Sequence, residues 1–523
     1  MEAGTTPGTD MKYPIGIQDF EKLRTDSFTY VDKTALVFRL INEGTYYFLS
    51  RPRRFGKSLL ISTLEAFFEG KRELFKGLAV EQLETEWSSY PIFHMDFNTA
   101  SYKSVDDLRN VLNDYLTRWE AQYGARPSEK TLPLRFKGVI ERAAVQAGHR
   151  AVILVDEYDK PLLQTMDNEQ LQDELRDEMK AFYSVLKTQD KYIRLGFLTG
   201  VTKFSKVSVF SDLNNITDIS IDARYQAICG ITEEELHAYF KDSISELAQA
   251  YHVTDEEMAA RLRRRYDGYH FVDNGVGLYN PFSLLSTFSK CRLGNYWFET
   301  GTPTYLVKLL QRDSFRLPDL NGAEVMGSML SSVDSVTSDP LPLIYQSGYL
   351  TIKDYDPEFD LYTLGFPNEE VAEGFTQFLL PYYTNTSREK SPFFIGSFIK
   401  DLRAGRPRDF MTRMEAFFAD TDYRVVGDSE LYFQNVFFII ARLLGFYTEV
   451  ERTTSDGRMD MTIQTKDFVY IIEFKLDKTA DEALQQIDDN HYAAPFAADS
   501  RKLFKIGVNF SLKRRCIDEW KVE

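Results

Sequence analysis

The stretch Phe48-Leu-Ser-Arg51-Pro-Arg53-Arg54-Phe-Gly56-Lys57-Ser58-Leu-Leu60 decides the fold of the first part of this chain. It matches the phosphate-binding pattern Gly-x-x-x-x-Gly-Lys-Ser/Thr, except that Arg51 occupies the first glycine position. The apolar run Tyr46 to Leu49 predicts a buried strand before the loop, and the residues from Leu59 onward have helical spacing. A phosphate bound by this loop would lie at a helix N-terminus. The loop alone is equally compatible with an ordinary basic turn between a strand and a helix.

Individual positions of the loop predict contacts with a nucleotide. Gly56 lets backbone N–H groups turn toward a phosphate, Lys57 reaches the β and γ oxygens, and Ser58 is a ligand for Mg²⁺. The three arginines of the loop could add phosphate or partner contacts, in the manner of arginine fingers. We therefore predict that an ATP site is formed here by Arg51, Arg53, Arg54, Phe55, Gly56, Lys57, Ser58 and Leu59.

A second motif, Ala151-Val-Ile-Leu-Val-Asp156-Glu157, is an apolar strand that ends in two acids. A carboxylate at Asp156 can hold Mg²⁺ opposite Ser58, directly or through water, and Glu157 can orient the water that attacks the γ-phosphate. The alternative is an exposed acidic strand end, which fits poorly with an apolar run leading straight into Asp-Glu. After the next strand, Thr199 or Thr202 could sense the γ-phosphate, although Thr199 could equally be a plain strand end.

The first 230 residues alternate apolar runs with helical stretches. The strand candidates are Tyr46–Leu49, Pro91–Phe97, Ala151–Val155 and Ile193–Leu198. This alternation predicts an α/β fold with a mostly parallel sheet that is covered on both faces. The run Pro91–Phe97 resembles the extra strand of the additional-strand, catalytic-glutamate type of P-loop NTPase, where a strand separates the loop strand from the acid-bearing strand.

Four segments together resemble the AAA-ATPase-like family. They are Pro14-Ile-Gly-Ile-Gln-Asp-Phe20, Tyr30-Val-Asp-Lys-Thr34, the loop Arg51 to Ser58, and Gly200-Val-Thr-Lys-Phe-Ser-Lys206. The resemblance covers nearly the whole chain and implies a nuclease-like domain at the C-terminus. It also implies that Arg51 belongs to the family's own form of the loop.

The C-terminal part contains Gly457-Arg-Met-Asp460 and, thirteen residues after Asp460, Glu473-Phe-Lys475. In a hairpin both acids would project toward one point, and alternation places Glu473 and Lys475 on one face of their strand. Two carboxylates can hold Mg²⁺ beside a phosphate, and a lysine can stabilise the charge that develops there. A structural salt bridge is the alternative interpretation.

This spacing resembles the PD-(D/E)xK nuclease superfamily. The resemblance implies a metal-binding glutamate on an upstream helix, for which Glu430 is suitably placed, and a further polar residue on the following helix, for which Gln486 is suitable. It implies Asp460, Glu473 and Lys475 as catalytic residues, with Glu430, Asp460 and Glu473 as ligands of Mg²⁺.

Composition limits the other possibilities. Three dispersed cysteines and six histidines argue against a disulfide framework and a zinc site, so a metal should be a hard cation bound by carboxylates. The N-terminus lacks a signal-peptide pattern, and no apolar run approaches the roughly 18 residues of a membrane span. We therefore expect a cytoplasmic protein without a membrane partner. The net charge of −17 opposes indiscriminate binding to nucleic acid.

These patterns predict a sequence of domains. We expect a disordered tail at 1–10, an AAA-like ATPase domain at 11–230, a helical or winged-helix lid at 231–390, a linker at 391–407, and a small α/β PD-(D/E)xK nuclease-like domain at 408–523. Thr232-Glu-Glu-Glu235 opens the lid with a helix-capping pattern. The roles of Asp32-Lys33-Thr34 and of Tyr266-Asp-Gly-Tyr269 stay open.

Two functional hypotheses follow. In the first, ATP hydrolysis controls a Mg²⁺-dependent nuclease that acts on DNA or RNA. In the second, the chain is a nucleotide-dependent switch whose C-terminal module binds nucleic acid or protein without cleaving it. A homo-oligomer is compatible with either hypothesis.

Overall fold

The structure is a computed structural model that describes residues 11–204, 215–299, 306, 310, 315–330, 339–383, 391–419, 429–445, 449–455, 458–514 and 516–523. It divides into two compact units. The first contains Met1–Gly301 and Gly322–Glu370, and the second contains Thr302–Asn321 and Val371–Glu523. Most of the predicted lid therefore clusters with the ATPase region, whereas 302–321 and 371–390 cluster with the C-terminal region.

The first unit is built on a five-stranded parallel sheet in the order β2-β3-β4-β1-β5. The strands are β1 (Tyr46–Ser50), β2 (Ile92–Asp96), β3 (Ala151–Asp156), β4 (Ile193–Gly200) and β5 (Thr217–Asp218). Every residue of β3 is buried, as expected for a strand covered on both faces. The α/β fold predicted from the alternating pattern is thus confirmed.

The strand order corrects one detail of the prediction. The strand between β1 and β3 is β4, and β2 (Ile92–Asp96) lies on the outer side of β3. The burial of β2 alternates between buried and half-buried residues, as expected for an edge strand that is covered less completely. Pro91–Phe97 is therefore not the strand that separates the loop strand from the acid-bearing strand.

Helices cover this sheet, and α1, α5 and α8 begin at a residue whose side chain caps the helix. In α5, Ser104 accepts from the backbone N–H of Asp107 while the Asp107 carboxylate accepts from Ser104, a reciprocal capping box. The helices of this region are α1 (Phe20–Thr25), α2 (Thr34–Glu43), α3 (Lys57–Phe68), α4 (Val80–Leu83), α5 (Val105–Tyr123), α6 (Leu132–Ala147), α7 (Lys160–Gln164), α8 (Glu169–Tyr183) and α9 (Val185–Thr188). Short 3-10 helices lie at Arg72–Phe75, Phe97–Thr99, Asp190–Tyr192 and Ala223–Tyr225.

The rest of the first unit forms the lid. Its first helix begins at the predicted capping box, in which Thr232 and Glu235 bond reciprocally. The lid helices are α10 (Glu233–Ala250), α11 (Asp255–Tyr266), α12 (Pro281–Lys290), α13 (Tyr296–Glu299), α14 (Gly327–Leu330) and α15 (Leu341–Gln346). The lid also contains an antiparallel sheet in the order β6-β8-β7. Its strands are β6 (Ala323–Met326), β7 (Thr351–Asp356) and β8 (Leu361–Gly365).

The second unit contains a five-stranded mixed sheet in the order β13-β12-β11-β10-β9. Its strands are β9 (Glu449–Ser455), β10 (Arg458–Gln464), β11 (Phe468–Leu476), β12 (Lys502–Ser511) and β13 (Cys516–Val522). The accompanying helices are α16 (Glu369–Tyr383), α17 (Ser391–Arg403), α18 (Pro407–Ala419), α19 (Ser429–Gly445) and α20 (Ala480–Asp489), with 3-10 turns at Leu317–Leu320 and Ala494–Phe496. The α/β fold predicted for the C-terminal region is thus confirmed, and this unit also includes helices that precede residue 408.

The predicted linker at 391–407 is wrong as a description of local structure, because most of it is helix α17. Ile395, Phe398, Ile399 and Leu402 recur at helical spacing and are each at most 6% exposed. The predicted tail at 1–10 lies outside the described residues. No helix in the described residues is both long and apolar enough to cross a membrane.

Candidate functional site

The loop between β1 and α3 contains two residues in the left-handed backbone conformation. Gly56 immediately precedes α3 with φ 95°, a left-handed value that a side chain disfavours. Arg54 is also left-handed, with φ 68°. Lys57 is 5% exposed, and its Nζ donates to the carbonyls of Arg51 at 2.9 Å and Pro52 at 3.1 Å. The lysine thus braces the loop from within.

The donor set of the loop fits a phosphate. The Phe55 carbonyl accepts from the N–H of Gly230 at 3.3 Å, so that carbonyl is also held by the protein. In the described part of the chain, by contrast, the backbone N–H groups of Arg53, Arg54 and Gly56 have no protein acceptor. A loop whose carbonyls are occupied and whose N–H groups are available favours an anion.

A cavity of about 270 Å³ opens in front of this loop. Of the predicted residues, Arg53, Arg54, Gly56, Lys57, Ser58, Leu59 and Glu157 line it. The cavity is also lined by residues to which the sequence assigned no role: the segment Pro14 to Gln18, Asn98, Lys160, Pro281, Phe282 and Leu285. Arg54 places its guanidinium 5.0 Å from the centre of the Phe282 ring. Basic groups therefore predominate near the loop.

A smaller, mainly apolar cavity of about 100 Å³ adjoins the first one. The two share Pro14, Gly56, Leu59, Pro281 and Leu285. Its other walls include Tyr30, Phe55, Ile231 and Phe240. A polar cavity beside an apolar one suits a ligand with a charged end and a flat apolar end.

The acids at the end of β3 are held by their neighbours. Asp156 is 4% exposed, and its Oδ1 accepts from Thr199 Oγ1 at 2.6 Å and from the N–H of Glu157 at 3.0 Å. Glu157 faces the cavity from a left-handed backbone position, φ 49°. Burial raises the pKa of the Glu157 carboxyl above its usual range, and the nearby Lys57 opposes that rise. A carboxylate with a raised pKa is a better proton acceptor near neutral pH.

Thr199 is completely buried and contacts Asp156 instead of lining the cavity. Thr202 does not line the cavity either, and its hydroxyl donates to Asp159 Oδ2 at 2.7 Å. Asp159 is 1% exposed and also accepts from the N–H groups of Val201 and Thr202, at 2.9 and 2.6 Å. Both threonines therefore hold in position an acid at, or just after, the end of β3.

Arg51 differs from the prediction. Its side chain is 1% exposed and does not line the 270 Å³ cavity. Its Nη1 donates to the carbonyls of Ser50 and Ser220, both at 2.8 Å, and its guanidinium lies 4.0 Å from the centre of the Phe271 ring. The geometry does not support a phosphate contact by the Arg51 side chain, because these contacts hold it in a buried position outside the lining of the cavity.

The segments Asp32–Thr34 and Tyr266–Tyr269, to which the sequence assigned no role, make contacts within the fold. Asp32 accepts from the N–H and Oγ1 of Thr34 at 2.8 and 2.6 Å, and Lys33 forms an ion pair with Glu235 at 2.6 Å. The second segment places Tyr269 with its ring 4.8 Å from that of Phe55, in an edge-to-face contact. It thereby holds the phosphate-binding loop against the lid.

Lys160 and Asn98 were missed by the sequence analysis. Lys160 Nζ donates to Asn98 Oδ1 at 3.0 Å, and both line the cavity beside Glu157. A usable signal was their position, since each closely follows the C-terminal end of a predicted parallel strand, where ligands bind in such sheets.

In the second unit, β10 and β11 form the expected antiparallel pair, with Asp460 directly opposite Glu473. Glu473 is fully buried, and its Oε1 accepts from Lys475 Nζ at 2.6 Å. Lys475 also donates to Gln486 Oε1 on α20. The side chains of Asp460 and Glu430 lie outside the described residues, although their backbones place them on β10 and at the start of α19.

Known proteins resemble both units. A family model described as a predicted AAA-ATPase matches residues 14–210, and a model of the PD-(D/E)XK nuclease superfamily matches residues 428–520. An uncharacterized protein in the vnfD 5′ region of Azotobacter chroococcum mcd 1 is 37% identical over 527 residues, which cover 98% of this chain and 99% of that protein. The chain therefore belongs to the AAA-ATPase-like family and carries a C-terminal domain of the PD-(D/E)XK nuclease superfamily.

Proposed function

We propose that the N-terminal domain, residues 11–230 with the lid at 231–390, binds and hydrolyses ATP, and that this controls a metal-dependent nuclease in the C-terminal domain, residues 408–523. The observation that carries the first part is the loop before α3. Carbonyls of the loop accept hydrogen bonds from Lys57 and Gly230, several of its N–H groups have no acceptor among the described residues, and Lys57, Ser58 and Glu157 face one cavity. Such a cavity suits a triphosphate better than an uncharged ligand.

The two adjoining cavities would hold different parts of the ATP molecule. The phosphates would occupy the basic cavity, in contact with Lys57, Arg53 and Arg54, and the base would occupy the apolar cavity. Lys57 would exchange its two carbonyl acceptors for phosphate oxygens without leaving its buried position.

Ser58 and Asp156 would hold Mg²⁺, because a hydroxyl and a carboxylate are hard oxygen ligands of the kind that Mg²⁺ prefers. When bound, Mg²⁺ supplies positive charge that neutralises the phosphate oxygens. Thr199 fixes the Asp156 carboxylate for this purpose through its 2.6 Å hydrogen bond.

Glu157 would act as the base. It would accept a proton from a water molecule whose oxygen bonds to the γ-phosphorus while the bond to the β,γ-bridging oxygen breaks. The burial that raises the pKa of Glu157 supports this role. Lys160, which lines the same cavity, would stabilise the charge that remains on the leaving phosphate.

In the nuclease domain, Glu473 and Asp460 occupy directly opposite backbone positions on β11 and β10. We assign Mg²⁺ binding to these two acids and to Glu430, and charge stabilisation at the scissile phosphate to Lys475. Gln486 would position Lys475, to which it is hydrogen-bonded. The substrate would be DNA or RNA.

One pair of variants tests the ATPase half. We expect Lys57→Ala to abolish ATP binding in calorimetric titration and phosphate release in a turnover assay. Lys137→Ala, which removes an exposed lysine of α6, is the matched control and should leave both unchanged. ATP binding or turnover that persists in a folded Lys57→Ala protein would refute the nucleotide site.

A second pair tests the nuclease half. Labelled single- and double-stranded DNA and RNA are incubated with Mg²⁺ or Mn²⁺, with and without ATP. We expect cleavage by the unmodified protein, none by Asp460→Asn, and unchanged cleavage by Asp467→Asn, which alters an exposed acid in the turn between β10 and β11. Metal-independent cleavage, or cleavage that survives in Asp460→Asn, would refute the site. Intact ATPase without cleavage of any substrate would replace this half of the proposal with a non-cleaving switch.

A further inference from the structure

A tryptophan of the lid bonds directly to the backbone of the phosphate-binding loop. Trp297 lies on α13 and is 6% exposed, and its Nε1–H donates to the carbonyl of Arg53 at 3.0 Å. The two residues are 244 positions apart in the chain. No sequence motif connects the two residues.

This hydrogen bond determines how one peptide of the loop is oriented. In a trans peptide the carbonyl of one residue and the N–H of the next point in opposite directions. Because Trp297 holds the Arg53 carbonyl toward the lid, the N–H of Arg54 points away from the lid tryptophan. That N–H belongs to the set without a protein acceptor in the described part of the chain. Trp297 thus prepares an N–H group for an anion.

Trp297 is itself held in place by other residues of the first unit. Its backbone N–H donates at 2.9 Å to Oε1 of Glu370, a residue that is 1% exposed. Its ring lies 5.1 Å from the ring of Tyr349. Gly348 allows the loop to approach, because a Cβ there would stand 2.6 Å from Pro52 and 3.6 Å from the Trp297 ring.

The same part of the lid also bonds to the end of β4. Gln346 is 7% exposed, and its Oε1 accepts from the N–H of Lys203 at 2.7 Å, while its Nε2 donates to the carbonyl of Leu330 at 2.8 Å. Lys203 follows the strand that carries Thr199. Residues 346–349 and Trp297 therefore contact both the phosphate-binding loop and the segment after β4.

We propose that Trp297 is a positioning residue of the nucleotide site, which acts by holding the Arg53–Arg54 peptide in the orientation that binds phosphate. This rests on the proposed binding of ATP. Its consequence is that the affinity for the phosphates depends on a hydrogen bond from the lid. A lid that shifts away from the loop would release the Arg53 carbonyl and weaken binding.

The test compares two ring substitutions in the full-length protein. Trp297→Phe removes the Nε1–H and keeps an aromatic ring, whereas Phe298→Leu removes a ring 5.3 Å from the indole and leaves the Nε1–H in place. The dissociation constants of AMP-PNP and ADP with Mg²⁺ are measured by calorimetric titration. We expect Trp297→Phe to weaken both about tenfold, the magnitude of one lost hydrogen bond, and Phe298→Leu to change neither by more than about twofold.

The outcomes separate this inference from the proposed function. Absence of AMP-PNP binding by the unmodified protein would refute the ATP site, and this inference with it. Binding by the unmodified protein and equal binding by Trp297→Phe would overturn the role of Trp297 alone. Equal weakening by Phe298→Leu would also overturn it, because lid packing and not the hydrogen bond would then be responsible.

A spectroscopic measurement covers the case in which Trp297→Phe does not fold. The protein is labelled with 5-fluorotryptophan and observed by fluorine NMR. Its four tryptophan signals are assigned by replacing Trp87, Trp119 and Trp520 singly with Phe. AMP-PNP should shift the Trp297 signal. A Trp297 signal that stays fixed while AMP-PNP binds would overturn the inference.

Discussion

The guanidinium of Arg51 lies 4.0 Å from the centre of the Phe271 ring, and Arg51 does not line the 270 Å³ cavity in front of the loop. Arg51 occupies the position at which the standard phosphate-binding pattern has its first glycine. The side chain joins the loop to the lid residue Phe271 and, through the Ser220 carbonyl, to the segment after β5. The arginine is therefore a structural part of this loop and not a defect in it.

We predict that restoring the standard motif is harmful. Arg51→Gly should lower the free energy of unfolding by about 3 kcal/mol, because it removes three hydrogen bonds to carbonyls and a buried cation–π contact. The measurement is chemical unfolding followed by near-ultraviolet circular dichroism. A variant as stable as the unmodified protein would show that these contacts contribute little.

Arg54→Gly is the matched control, since it makes the same change three positions later. Arg54 has φ 68°, so glycine relieves backbone strain, while the contact with Phe282 at 5.0 Å is lost. The two effects oppose each other, and we expect a net change within about 1 kcal/mol.

Thr199 supports a second prediction. Thr199→Val removes the hydroxyl that donates to Asp156 at 2.6 Å and keeps the shape of the side chain. We expect ATP turnover to fall about tenfold, equivalent to about 1.4 kcal/mol in the activation barrier, because the carboxylate loses its fixed orientation. Thr199→Ser retains the donor and should restore turnover. If the two variants behave alike in a phosphate-release assay, the hydrogen bond is not the cause.

The sequence predicted local structure well where a single segment contains the information. The apolar runs of β1, β3 and β4 and the capping box before α10 are confirmed, as is the antiparallel pairing that sets Asp460 opposite Glu473. Each depends on neighbouring residues or on one short hairpin. The helical spacing of Ile395 to Leu402 was also local, but it lies within the segment Ser391–Pro407, which the sequence analysis interpreted as a linker.

The remaining features depend on long-range packing. Apolar runs show that strands are buried but not which strands are neighbours, so the place of β4 between β1 and β3 was not predicted. The direction of Arg51 depends on Phe271, and the orientation of Arg53 on Trp297. The motif identifies the loop, whereas contacts with the lid determine how the Arg51 side chain and the Arg53 carbonyl are oriented.

Glu370 predicts a dependence of stability on pH. Burial raises the pKa of its carboxyl to about 7, against the opposing effect of the Trp297 N–H that it accepts. Arg265, Tyr266 and Tyr269 are the charged and titratable groups near it. The folded protein therefore keeps a proton that the unfolded chain releases above about pH 4.5.

It follows that stability decreases as pH rises from about 4.5 to about 7, by about 3 kcal/mol for this group, and the loss persists above pH 7. Glu370→Gln should be more stable than the unmodified protein at pH 8 and should lack this part of the decrease. Glu369→Gln, which changes a half-exposed acid on the same turn, is the control and should follow the unmodified protein. Thermal unfolding between pH 5 and pH 8 measures the effect, and parallel curves for Glu370→Gln and the unmodified protein would contradict it.

The buried pair of Glu473 and Lys475 predicts an effect of metal ions on stability. Lys475→Met leaves the fully buried Glu473 without the charge that now lies 2.6 Å away, which should cost about 3 to 5 kcal/mol in a metal-free buffer. A divalent cation would supply the missing charge. Mn²⁺ should therefore raise the unfolding temperature of Lys475→Met more than that of the unmodified protein. The double variant Glu473→Gln/Lys475→Met should recover stability without metal and lose the response to Mn²⁺.

Lys521→Met is the control. It breaks an exposed pair with Asp481, also at 2.6 Å, and should change stability by less than about 1 kcal/mol. If Mn²⁺ stabilised Lys521→Met and Lys475→Met equally, the cation would not be binding at Glu473.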